Sequence, residues 1–116
     1  MPSIKSLVLF GASAAFAEVF KVDVGKNGLK IEPPNVKAAK GDIVVISLYP
    51  NHDLAEGNFD KPCLPKDFGI YAGQYKDTED GKKKFVMTVN STDPIYYYCT
   101  VPKHCNSGMV GGINIP

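Results

Sequence analysis

Short runs of alternating apolar and polar residues, each stopped within a few positions by Gly, Pro or Asn, set what this chain can fold into. Phe20, Val22 and Val24 alternate with Lys21 and Asp23, a period of two that sends one face of a strand to a core and the other to water. Asn27-Gly28 then marks a turn. Leu29 and Ile31 alternate with Lys30 and Glu32 until Pro33-Pro34 stop them, and Val36–Ala38 is a further short candidate. After the turn at Gly41-Asp42, Ile43–Leu48 is a continuous apolar run broken only by Ser47; its β-branched content reads as a buried central strand. Phe85, Met87 and Val89 alternate, Ser91–Pro94 turns the chain, Ile95–Cys99 is aromatic and strand-like, and Val110, Ile113 and Ile115 close it. Tyr49–Gly81 has weak periodicity and holds Pro50, Pro62 and Pro65. It reads as one long loop with a helical turn near Asp67–Tyr71, and loops of that length in compact domains are functional or pinned. About seven or eight strands without a convincing helix imply an all-β chain folded as a Greek-key antiparallel β-sandwich. A length of 116 residues suits a single domain.

Residues 1–17 do not share that pattern. Lys5 precedes a short apolar and small-residue stretch, and Ala15-Phe16-Ala17 fits the small-x-small cleavage pattern of a signal peptide. The stretch is too short to span a bilayer, so no membrane span is expected. The domain then covers residues 18–116, and the protein is expected outside the cell, with the cell wall as one place of retention. Loss of Lys5 brings the formal charge from +1 to zero. Every basic residue is Lys, and a near-neutral chain without Arg argues against nucleic acid as a partner. Lys82–Lys84 reads as a solvated flank of a strand. Asn90-Ser91-Thr92 is a glycosylation sequon, consistent with export. Nothing in the sequence suggests more than a monomer.

Export changes how the cysteines are read, because disulfides persist outside the cytosol. Three Cys remain: Cys63, Cys99 and Cys105. The number is odd, so one thiol needs another role. Cys99 ends a strand; His104 follows five residues later and Met109 five after that, while the only other His, His52, follows the strand at Ile43–Leu48. A thiolate, two imidazoles and a weak axial thioether make the trigonal site that suits type 1 copper. The sulfur of Cys99 favours Cu(I) and the nitrogens of His52 and His104 favour Cu(II), so a compromise geometry permits fast one-electron exchange. If Cys99 binds metal, Cys63 and Cys105 are left to pair, fastening the two ligand loops together and closing a loop of about forty residues.

The stretch YYYCTVPKHCNSGMVGGINIP resembles the C-terminal motif of the cupredoxins, and most of all that of phytocyanins and of secreted plastocyanin-like fungal proteins. Asn51-His52 followed by Phe59-Asp60-Lys61-Pro62-Cys63 is similar to a second stretch of that family. The resemblance covers essentially residues 18–116. It implies a Greek-key β-sandwich, one copper ion and electron transfer to a redox partner, with no enzymatic activity. Carried over by position, it implies copper ligands at His52, Cys99, His104 and Met109 and a disulfide between Cys63 and Cys105. One departure stands out: many family members have Asn, Ser or Thr directly after the first ligand His, and this chain has Asp53. A carboxylate there is expected to favour Cu(II) and lower the reduction potential. The chain has no Ser/Pro-rich stalk or hydrophobic tail before Pro116, so the GPI anchor of many relatives is not expected.

Rival readings fare worse on the same residues. The trinuclear centre of a multicopper oxidase needs many more His than the two present. A Cys–His hydrolase built on Cys99 and His104 leaves His52 and Met109 without a role. Zinc accepts a His₂Cys set but does not favour a thioether. Non-redox copper buffering, or a cell-wall interaction module, is the alternative function. Tyr96–Tyr98 reads as strand packing.

Overall fold

The computed structural model describes residues 16–116. The signal peptide expected at residues 1–17 lies, except for its last two residues, outside the described part. The described residues form ten strands: β1 (Val19–Val24), β2 (Ile31–Glu32), β3 (Asn35–Val36), β4 (Ile43–Leu48), β5 (Leu54–Asn58), β6 (Lys61–Pro65), β7 (Tyr71–Ala72), β8 (Lys84–Thr88), β9 (Ile95–Tyr98) and β10 (Val110–Ile113). They make two sheets, ordered β2-β1-β4-β8 and β3-β10-β9-β5-β6, with β7 also paired to β5. This is the all-β sandwich the sequence implies, with mixed sheets. The chain leaves the first sheet after β2, adds β3 to the second and returns with β4, so β4 pairs parallel to β1. β3 likewise pairs parallel to β10.

The period-two patterns point where the sequence said they would. Val22 and Val24 of β1, and Val44 and Ile46 of β4, are fully buried. They meet Leu54 of β5, Tyr97 of β9 and Ile113 of β10 in one core. β4 is central, between β1 and β8. The Tyr97 hydroxyl donates to the Gly112 carbonyl at 3.3 Å, which satisfies the one polar atom that this large ring carries into the core.

The segment from Tyr49 to Gly81 departs from the long-loop expectation, because it contains β5, β6 and β7. β5 reads Leu-Ala-Glu-Gly-Asn and β6 Lys-Pro-Cys-Leu-Pro, sequences of low strand propensity. They are strands because β5 pairs with the tyrosines of β9 and β6 takes the sheet edge. At an edge, Pro62 and Pro65 break no ladder on the solvent side. The expected helical turn near Asp67–Tyr71 is instead a plain turn at Asp67-Phe68 followed by β7. Among the described residues, 3₁₀-type turns are confined to Glu79–Gly81, where Glu79, Asp80 and Gly81 all have positive φ, and Cys105–Ser107.

Candidate metal centre

Three connections meet at one end of the sandwich: the turn after β1, the β4–β5 connection and the β9–β10 loop. The β1–β4 ladder continues past its strands through Tyr49 N–H to the Val24 carbonyl at 3.0 Å, and His52 N–H then donates to the Tyr49 carbonyl at 3.1 Å. This tight turn presents the His52 side chain inward, where it is buried. The β9–β10 loop closes through Cys99 N–H to the Met109 carbonyl at 3.2 Å and Met109 N–H to the His104 carbonyl at 3.1 Å. Those two bonds bring the ends and the middle of an eleven-residue segment into one place. Cys99 and Met109 are fully buried within the core, and His104 is half-buried.

Three of the four sequence-predicted donors, His52, Cys99 and His104, converge. Cys99 Sγ lies 3.5 Å from His104 Nδ1 and 3.9 Å from His52 Nδ1. All three donor atoms fall within 4.8 Å of one another, and the imidazole centroids are 5.0 Å apart. Donors about 2.1 Å from a metal in a trigonal plane stand about 3.6 Å from each other, so the spacing and the donor types both fit a His₂Cys copper site. The thioether residue, Met109, is enclosed in the same loop.

Electrostatics act in opposite directions on the two buried donors, His52 and Cys99. Burial, aided by the neighbouring His104, holds the His52 imidazole below its ordinary 6.5 against an opposing pull from Asp53, so His52 is neutral and free to ligate at neutral pH. Burial pushes the Cys99 thiol above 9.0, partly offset by the amides of Asp53 and Val101. Metal uptake must therefore expel the thiol proton, and uptake weakens in acid.

Cys63 and Cys105 form a disulfide with Cα atoms 5.8 Å apart, the partnership the sequence implied. It ties β6 to the residue after His104. Asp53 is fully buried. Its carboxylate accepts the Thr100 N–H at 2.7 Å, the Thr100 hydroxyl, and the Tyr71 hydroxyl at 2.9 Å. It therefore clasps the residue after Cys99 to the residue after His52. Asn90 is exposed beside the turn that leads into β9.

Two contributors escape a reading of the sequence. The pattern places Tyr71 in a loop, and nothing local links it to Asp53, 18 positions away. Gly25 has φ +84°, and a Cβ there would stand 1.9 Å from His52 Cδ2. Its place after β1 signals a turn, but only the fold sets it against the imidazole. Gly25→Ala is expected to add about 1–2 kcal/mol of left-handed backbone strain and to displace His52. The expected result is a lower melting temperature and weaker copper binding, read by calorimetry and a competitive Cu(II) titration.

Two tyrosines, the buried Tyr97 and the half-exposed Tyr71, make a further prediction. Burial raises Tyr97 well above the ordinary phenol value of 10.0. Burial and the hydrogen bond to Asp53 push Tyr71 to about 12. Both groups keep their protons longer folded than unfolded, so the metal-free fold holds more protons above pH 10 and loses stability as pH rises from there. Urea midpoints at pH 8, 10 and 11 should fall in that order.

No protein-family model matches the chain. The probable GPI-anchored cupredoxin-1 of Arthroderma benhamiae is 40% identical over 90% of this chain and 55% of its own length. An extracellular serine-rich protein of the same organism is 39% identical over 90% of this chain and 42% of its own. The chain thus spans about half the length of the curated relatives it matches. Among solved structures, spinach plantacyanin superposes with a TM-score of 0.58 at 17% identity, covering 84% of this chain and 99% of its own.

Proposed function

The described domain belongs to the cupredoxin family, and on that premise we propose that the protein is an exported blue-copper protein that holds one copper ion through His52, Cys99, His104 and Met109 and passes single electrons to a redox partner. The observation that carries the reading is the convergence of Cys99 Sγ with the Nδ1 atoms of His52 and His104. Export is supported by the A-x-A pattern before Glu18, the Cys63–Cys105 disulfide and the names of the two relatives.

Copper, when bound, would supply the one-electron couple. The chain's own part is to hold its donors in one arrangement for both oxidation states. The disulfide, the Asp53–Thr100 clasp and the Met109–His104 backbone bond fix the ligand loop on three sides. Burial of Cys99 and Met109 excludes water, while half-buried His104 is the most exposed of the four residues. The buried Asp53 carboxylate adds negative charge beside the site, so Asp53→Asn should raise the reduction potential. With a charge effect on the order of 1–2 kcal/mol at an effective dielectric of about 20, the rise is tens of millivolts by voltammetry.

The test is to load residues 18–116, disulfide intact, with Cu(II) and record the visible spectrum, EPR and a voltammogram. An intense thiolate-to-copper band with a reversible couple supports the carrier. Tight Cu(I) binding without electron exchange would favour copper buffering. Absence of the band would remove the copper reading and leave an interaction module.

A further inference from the structure

The chain's N-terminal edge carries a feature unrelated to the metal centre. Glu18 N–H donates to Asp42 Oδ1 at 3.0 Å. The same carboxylate accepts Ala39 N–H through Oδ2 at 2.8 Å. The Glu18 carbonyl accepts Ile43 N–H at 2.9 Å, which extends the parallel β1–β4 pairing back by one residue. Glu18 is thus held at both its nitrogen and its oxygen. Asp42 is buried, only 9% exposed, and no basic side chain among the described residues pairs with it. Phe16 and Ala17, just upstream, are exposed and outside any strand.

We propose that the Ala17–Glu18 peptide bond is a processing site whose cleavage creates the missing cation: the new α-ammonium of Glu18 forms an ion pair with Asp42 and locks β1 onto β4. The step is a hydrolysis by an endopeptidase of the export route. Water adds across the C–N bond, Ala17 leaves as a carboxylate, and the Glu18 nitrogen becomes an ammonium. The backbone already sets that nitrogen at hydrogen-bond distance, so cleavage replaces a neutral donor with a charged one, and charge-assisted bonds are roughly twice as strong. The processed form is therefore more stable than the precursor's folded domain. The inference rests on the export reading and not on copper.

All ten strands of the described residues lie within residues 18–116, so the processed domain contains both sheets. N-terminal sequencing of the exported protein should return Glu18-Val19-Phe20; any other start overturns the proposal. Metal-free chains beginning at Glu18 and at Phe16 are then compared by calorimetry. The Glu18 chain should melt about 4 °C higher, and the difference should vanish in an Asp42→Asn background. Chemical N-acetylation of the Glu18 chain, which keeps the N–H and removes the charge, should abolish the gain without any mutation. The Glu18 carboxylate, Lys37 and Pro116 face the same cavity, so only the part of the gain that depends on Asp42 counts. No gain, or an equal gain in the Asp42→Asn background, overturns the ion pair.

Discussion

Cys99→Ser, loaded with Cu(II) under the same conditions as the parent, is expected to show no intense visible band and no reversible couple, while keeping the fold. The loss is complete rather than graded, because the band arises from the thiolate and no other thiol is free among the described residues. Retention of the fold follows from the local geometry. Cys99 is fully buried, and the amides of Asp53 and Val101 that face its sulfur can be accepted by a serine oxygen. A near-isosteric swap at a hydrogen-bonded site costs about 1 kcal/mol. The metal-free variant should therefore melt within a few degrees of the parent. A variant that kept the band would remove Cys99 from the centre of the site, and one that failed to fold would overturn the expected retention of the fold.

Removing the disulfide with Cys63→Ala and Cys105→Ala should have the largest effect on stability. The bridge spans 42 positions, and a loop of that size is worth about 4 kcal/mol in the chain-entropy model. For a domain of this size that is a fall on the order of 15–25 °C in melting temperature. β6 is an edge strand, and its Cys63 is held in a left-handed conformation at φ 65°. Without the bridge, β6 is the first element expected to fray. Because Cys105 directly follows His104, copper affinity should fall as well, with the visible band retained but shifted. A melting temperature within a few degrees of the parent would show that β5–β6 pairing and the core alone hold this end of the sandwich.

Strand-forming side-chain patterns decided which elements were legible from the sequence. β1, β4, β8 and β9 carry period-two or continuous apolar patterns, so their burial follows from side-chain chemistry alone. β5, β6 and β7 carry little of it. Their strand state comes from backbone pairing to β9 and to each other, and no local side-chain signal reports a hydrogen bond supplied by a distant partner.

The site divides the same way. Cys99, His104 and Met109 lie within eleven residues, and the chemistry of thiolate, imidazole and thioether at that spacing points to a candidate soft-metal loop from the sequence alone. His52 and the pairing of Cys63 with Cys105 could be inferred because the remaining His and Cys are so few. The role of Asp53 as a clasp on Thr100, the support it takes from Tyr71 and the bare face of Gly25 against the His52 imidazole were decided only by the tertiary structure. Each joins residues 18 to 47 positions apart in the chain. Residue type fixes what a group can bond to, and packing of two sheets fixes which groups meet.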